Sequence, residues 1–388
     1  MNSSFAPVPR EEPALRRLIL YFLGLGTWGF GGPVVLVERM RRDLVEQRGW
    51  FAEDDYKEGL ALAQLAPGPL AAQLAIYLGW VRAGLVGATA VGGAFVAPSF
   101  VMVLALSVLY VRFGGLTWMQ GAFYGVGAAV IAVIGTSAWR LVRKTVGRDT
   151  LLWGIVVVNA LVTAWTEREL LSLIVASGIV ALAARTRRRP AAQAFVVVPA
   201  AWLTGLHGTA TPDTLAALLL YFAKAGALVF GSGLAIVPFL HGGVVRDMHW
   251  LTERQFLDAV AVSMITPGPV VITVAFIGFL MAGPLGAIAA AIGVFLPAYL
   301  IVVAVAPSFR RIARNTALRA IVDGVTAAAT GAIAGAVFVL GRRAITDWST
   351  LALFVVALAV VLRVRSVPEP VLLLAAAVIG IAIHGAPL

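Results

Sequence analysis

The chain has 388 residues, of which 60% are hydrophobic and only 13% charged, with a formal net charge of +11 and no cysteine. Soluble domains run closer to half apolar and about a quarter charged, so this composition belongs to lipid. The absence of cysteine excludes disulfides, Cys-ligated zinc and iron–sulfur clusters, and the basic residues fall in short segments between apolar runs, which speaks against nucleic acid as a partner.

In chain order, Glu11, Glu12, Arg16 and Arg17 precede no small-residue cleavage pattern, so the start does not read as a removable signal peptide. A helix is expected over 15–37, followed by an amphipathic stretch holding Glu38, Arg39, Arg41, Arg42, Asp43, Glu46 and Arg48. That stretch reads as a solvated face or an anion-attracting vestibule. A short helix over 53–66, a break at Pro67 to Pro69 and a second short helix over 70–82 come next. Spanning helices are expected near 84–111, 117–144, 150–165 and 168–185. A basic linker over 186–213 contains a moderately apolar piece, 191–206, whose membrane crossing the sequence leaves open. The remaining elements fall at 214–238, 252–266, 270–282, 284–306, 313–341, 347–363 and 367–385. Leu85 to Val111, Leu215 to Phe239 and Leu285 to Ala306 each reach the roughly 20 residues that cross a bilayer. Uninterrupted apolar runs give helices, since barrel strands would alternate.

The second half repeats the first. A shift of 200 places Leu20-Tyr21-Phe22 on Leu220-Tyr221-Phe222, Phe30-Gly31 on Phe230-Gly231, Trp50 on Trp250, and Pro67-Gly68-Pro69 on Pro267-Gly268-Pro269. One residue then drops out, and Gly84, Gly87 and Pro98 meet Gly283, Gly286 and Pro297. Composition bias does not match Trp, Pro-Gly-Pro and Phe-Gly in one register. The repeats occupy 1–185 and 214–388.

With the short helices as re-entrant hairpins, each half crosses five times, and an odd number inverts the second half relative to the first. The fold expected is an all-α polytopic membrane protein with about 10 spanning helices plus two hairpins. Positive charge divides accordingly. Arg39, Arg41, Arg42, Arg48, Lys57, Arg82, Arg140, Arg143, Lys144, Arg148, the 185–189 cluster, Arg310, Arg311, Arg314, Arg319, Arg363 and Arg365 fall on one side, expected to be cytoplasmic. Arg10, Arg16, Arg17, Arg112, Arg168, Arg246, Arg254, Arg342 and Arg343 fall on the other, with the N-terminal arginines against the rule.

The breaks are the candidate site. A proline ends the helix before it and suits the start of the next, so Pro67 and Pro267 close one helix and Pro69 and Pro269 open another. Gly68 and Gly268 let a ligand approach the backbone. The N–H groups of 70–72 and 270–272 then point at the break, where an anion satisfies them and meets the helix dipole. Gly31, Gly32 and Pro33, and Gly231, Ser232 and Gly233, interrupt the first helix of each half in the same way. The alternative is that these glycines serve helix packing and the prolines merely kink.

Gln64 and Thr266 are uncharged donors beside the prolines. Lys224 lies within an apolar helix, where it contacts a bound dianion, snorkels to an interface or pairs with Asp323. Glu58 and Asp258 stand at equivalent positions and either carry protons for coupling or sit in solvated first turns. His207, His241, His249 and His384 lack metal-ligand spacing, so no metal or other cofactor is expected.

Phe30-Gly31-Gly32-Pro33, Trp50, Ala63-Gln64-Leu65 with Pro67-Gly68-Pro69, and Gly84 to Pro98 resemble the chromate ion transporter family in its long, two-domain form. The second half carries the same pattern in Phe230-Gly231-Ser232-Gly233, Trp250-Leu251-Thr252-Glu253, Thr266-Pro267-Gly268-Pro269 and Phe295-Leu296-Pro297, with Gly233 in place of a proline. The resemblance implies chromate efflux across the cell inner membrane by alternating access, with sulfate as a competing analogue. A carrier of sulfate or another oxyanion is the alternative, and an anion channel is less favoured. An intramembrane enzyme lacks its motifs here, with no His-Glu-x-x-His and no Gly-x-Ser-x-Gly. A homodimer is compatible with the sequence but not required by it.

Overall fold

The computed structural model describes residues 14–30, 32–113, 117–166, 171–185, 211–228, 236–309, 316–364, 367 and 369–384. The first half contains α1 (Leu15–Trp28), α2 (Gly32–Met40), α3 (Glu53–Leu65), α4 (Leu70–Phe113), α5 (Thr117–Val146), α6 (Thr150–Thr166) and α7 (Leu171–Arg185). The second contains α8 (Pro212–Leu228), α9 (Ile236–Leu240), α10 (Glu253–Ile265), α11 (Thr273–Val305), α12 (Thr316–Ala344), α13 (Trp348–Arg363) and α14 (Glu369–His384). No strand occurs among the described residues. Among the described residues, four helical stretches are long and apolar enough to cross a membrane: Leu70–Phe113, Trp118–Arg143, Val270–Ser308 and Ala320–Ala344. Shorter apolar helices accompany them, as in a multi-pass membrane protein. The 191–206 piece lies outside the described residues.

The helix expected over 15–37 is divided. At Gly29 a side chain would strike the Leu25 carbonyl and Leu36, so the chain leaves the helix there and restarts at Gly32. Both α2 and α9 continue into π-helical turns at equivalent places, Arg41–Gln47 and His241–Asp247.

α4 is two antiparallel arms. At Ala83 and Gly84 the backbone leaves helical geometry, with Gly84 at φ +57°, and the arm 85–113 returns along 70–82. Gly79 faces Gly87 and Gly92 faces Ile76, pairs too close for a larger residue at the glycine. Ala282 and Gly283, the latter at φ +62°, repeat the turn in α11, with Gly278 against Gly286. Across the Pro67–Pro69 break, α3 packs back on the 70–82 arm, where Gly59 lies under the Tyr77 ring. α3 is 13 residues, about 20 Å of helix, too short to cross a ~30 Å hydrocarbon core on its own. Together α3 and the 70–82 arm form the helical hairpin expected across the Pro67–Pro69 break.

The halves interlock. Gly125 of α5 packs on the Ala376 carbonyl of α14, and Gly324 of α12 packs on Ser177 and Ala181 of α7, contacts that the repeat makes equivalent. Small residues let helices approach closely where lipid gives no hydrophobic drive. Between the equivalent helices α5 and α12, Gly135 faces Val337 and Gly341 faces Ile131, so one runs up as the other runs down. Equivalent spanning helices that run antiparallel are related by an axis in the bilayer plane, which is the inverted arrangement.

Ion pairs and hydrogen bonds test the division of charge. Arg185 reaches Asp149, next to Arg148, at 2.6 Å and Asp323, one turn from Arg319, at 2.5 Å. Arg41 reaches Glu53, one turn before Lys57, at 3.2 Å. On the other side, Tyr110 bonds Asp258, one turn after Arg254, and Tyr124 bonds Asp347, near Arg343, which itself pairs with Glu253. Each of these contacts joins groups expected on the same side.

Candidate functional site

The Pro-Gly-Pro segments fold as their chemistry requires. Ala66 and Thr266, each ahead of a proline, are extended, with ψ of 143° and 139°. Gly68 and Gly268 follow at φ +141° and +101°, which L side chains rarely adopt. Each glycine abuts the long helix of the opposite half at an equivalent position. A Cβ on Gly68 would lie 2.6 Å from the Ala298 Cβ, and one on Gly268 would lie 2.7 Å from the Ser99 Oγ. Gly268 N–H also donates to the Gly29 carbonyl at 3.1 Å, tying the second half's hairpin to the break in the first half's first helix.

The two hairpins therefore meet. A cleft between them is lined by Pro33, Leu36, Pro69, Leu70, Ala71, Gly268, Pro269 and Val270. The space free for the centre of a water molecule is about 10 Å³, enough for roughly one water. As the hairpins stand, this space is too small for a tetrahedral oxyanion.

The helix starts at the cleft differ. In α4, Gln73 N–H is the first to bond back, to the Pro69 carbonyl at 2.9 Å, which leaves 70–72 as the first-turn donors with no carbonyl one turn earlier. In the second half a 3₁₀ turn over Val270–Ile272 intervenes, and Ile272 N–H is taken by the Pro269 carbonyl at 3.0 Å. Val270 and Val271 remain there, one donor fewer than the sequence pattern suggests.

Of the expected site residues, Pro33, Pro69, Gly268 and Pro269 come together at the cleft, with Gly68 and Pro67 directly behind Pro69. Gly32 opens α2. Gly31, Gly231, Ser232 and Gly233 lie outside the described residues. Thr266 is buried, and its hydroxyl donates to the Ser263 carbonyl at 3.0 Å. Gln64 is exposed at the end of α3 and does not line the cleft. Lys224 is exposed on α8, on the same face as Leu220, away from the cleft. Asp323 bonds Arg185, so the expected alternative of a Lys224–Asp323 pair is replaced. Asp258 is buried and accepts a 2.7 Å hydrogen bond from Tyr110, whereas Glu58 is half-buried.

The sequence reading missed Gln73. Its side chain is fully buried, and Nε2 donates to the Pro67 carbonyl at 2.8 Å, holding the break in shape. Its Oε1 has no partner among the described residues. The signal was an amide in the apolar run 70–79. The counterpart, Thr273, bonds Ser263 Oγ at 2.6 Å and the Val270 carbonyl at 2.8 Å, a hydroxyl network in place of the amide.

The family model for chromate transporters matches the chain twice, over residues 16–182 and 216–381. The chain belongs to the chromate transporter family. This family member is 56% identical to a protein named chromate transport protein from Cupriavidus metallidurans, over 95% of this chain and 92% of that one. It is 52% identical to a probable chromate transport protein of Synechococcus elongatus, over 95% of each. A chromate transport protein of Pseudomonas aeruginosa is 34% identical over 84% of this transporter and 80% of its own length. No solved structure matches the chain significantly.

Proposed function

We propose that this chain is a secondary transporter that exports chromate from the cytoplasm across the inner membrane, its 1–185 and 214–388 repeats moving against each other about the hairpin cleft. The observation that carries the reading is the meeting of two inverted half-helix starts at one cleft. Backbone N–H groups and helix dipoles there suit an oxyanion with four acceptor oxygens, and the relatives named for chromate transport supply the anion. Opening the hairpins to one side and then the other gives alternating access. A negative-inside potential favours loss of a dianion, at about 2.3 kcal/mol per charge per 100 mV. The protein does no chemistry on the ion.

The test is uptake of radiolabelled chromate into everted membrane vesicles with a lumen-positive potential. Saturable uptake, competed by sulfate, is expected. Vesicles that carry sulfate or another anion but not chromate would keep the transport mode and sink the substrate. Single-channel conductance would replace the carrier with a channel.

A further inference from the structure

The repeat places carboxylates at Glu58 and Asp258, yet the two halves treat them differently. Asp258 is 4% exposed and its Oδ2 accepts the Tyr110 hydroxyl at 2.7 Å. Tyr110 belongs to α4, so this bond links the hairpin of the second half to the long helix of the first. The first half lacks the equivalent bond's hydroxyl: a shift of 199 places Phe309 where Tyr110 stands, and Glu58 is half-buried. Among the described residues, the titratable or charged groups acting on Asp258 are Tyr110 and Arg254, four residues earlier on the same helix. No ion pair between Arg254 and Asp258 occurs within 4 Å among the described residues. Phe123 of α5 and Phe276 of α11 wall the Tyr110 ring at 5.5 and 5.1 Å.

A phenol hydroxyl both donates and accepts. It therefore completes a hydrogen bond with Asp258 whether the carboxyl carries a proton or not, donating to the carboxylate or accepting from the acid. An ionisable group buried in a helical membrane protein without a salt bridge points to function. The contact lies at the end of the molecule opposite the cytoplasmic arginines, and Asp258 sits two turns of helix from the Pro267 break.

From this geometry we infer that Asp258, with Tyr110 as its positioning partner, is the proton site of a chromate–proton exchange, and that Glu58 is not. The Asp258 carboxylate takes a proton from the outer side when the site faces outward. It releases that proton to the cytoplasm when the site returns, as chromate leaves in the opposite direction. The inference rests on the transport reading and names its coupling ion.

The experiment uses the full chain in proteoliposomes, with a trapped pH dye and labelled chromate. Two readouts separate the claims: chromate–chromate exchange at zero gradient, and proton movement driven by a chromate gradient. Wild-type protein is expected to show both. Asp258→Asn keeps exchange and loses proton movement, a drop of at least tenfold in the dye signal. Tyr110→Phe keeps both and displaces the pH profile of coupled transport, and Glu58→Gln leaves coupling intact. Proton movement in Asp258→Asn equal to wild type overturns the inference, as does none in wild type. Loss of exchange together with coupling in Asp258→Asn also overturns it, by placing Asp258 in the cleft or the packing. Absence of chromate exchange in wild type instead refutes the transport reading itself.

Discussion

Replacing Gly268 with alanine adds one methyl at the point where the second hairpin touches the first half. That methyl would lie 2.7 Å from Ser99 Oγ and 2.9 Å from Ser99 Cβ. Ser99 is fully buried and its hydroxyl is held to the Val96 carbonyl at 2.9 Å, so it has no room to retreat. Overpacking of this kind costs about 1–3 kcal/mol. The φ of +101° adds about 1–3 kcal/mol for a residue with a Cβ. Ser99→Gly removes both crowding atoms but leaves the backbone cost. The double variant is therefore expected to recover the overpacking share alone, a coupling of about 1–3 kcal/mol, within the range for residues in contact. The assay is heating of purified protein in detergent, following the fraction that stays monodisperse for the two single variants, the double variant and wild type. A Gly268→Ala protein as heat-stable as wild type, or one that Ser99→Gly does not rescue, would refute the contact. The same geometry makes loss of transport in Gly268→Ala ambiguous, because packing alone produces it. Stabilisation by chromate is the cleaner readout of anion contact. An anion at 100 times its Kd contributes about 2.7 kcal/mol, and the rescued double variant retains this if backbone N–H groups hold the ion.

Gln73→Leu leaves the half-buried Pro67 carbonyl without its 2.8 Å donor, a loss of about 1 kcal/mol, read as lower heat stability and faster proteolysis within 65–70. Gly125→Ala drives a methyl into the Ala376 carbonyl, whereas Gly127→Ala meets nothing within 4 Å. The first is expected to cut the yield of folded protein severalfold and the second to leave it unchanged, as gel filtration in detergent would measure. The Arg185 guanidinium holds the Asp149 carboxyl below the ordinary carboxylate range. A lowered folded value means that the contribution is complete above the unfolded value and is lost as acid protonates the group. Wild-type heat stability should therefore fall with pH on the acid side of about 4, and Arg185→Gln should flatten that part of the curve.

The parts of the fold legible in the sequence are those in which chemistry acts locally or is written twice. Pro67-Gly68-Pro69 announces its break because proline ends a helix whatever surrounds it, and the second copy at Pro267 removes chance as an explanation. The turn at Gly84 was legible as a helix boundary for the same reason. The antiparallel packing that makes it an arm was not, since it depends on Gly79 fitting against Gly87. Asymmetry was the harder thing to read. Lys224 looked like a site residue because a charge in an apolar run is costly, but a helix has a lipid face as well as a protein face, and the sequence does not say which Lys224 occupies. Glu58 and Asp258 looked equivalent because the repeat aligns them. Their difference lies in Tyr110 and Phe309, some 50 residues on, and a hydroxyl present in one copy and missing from the other acquires meaning only once α4 is known to reach α10.

An inverted repeat places one hairpin towards each side of the membrane, and the two sides offer different conditions. Arg41 and Glu53 lock the first hairpin's entry at 3.2 Å, while at the equivalent place His241 meets Glu253 at 2.7 Å, with Arg343 on the same carboxylate. A guanidinium keeps its charge at any pH a cell meets, whereas an imidazole changes state near neutrality. In the second half His241 stands where Arg41 stands in the first, and Asp258, bonded to Tyr110, stands where Glu58 does.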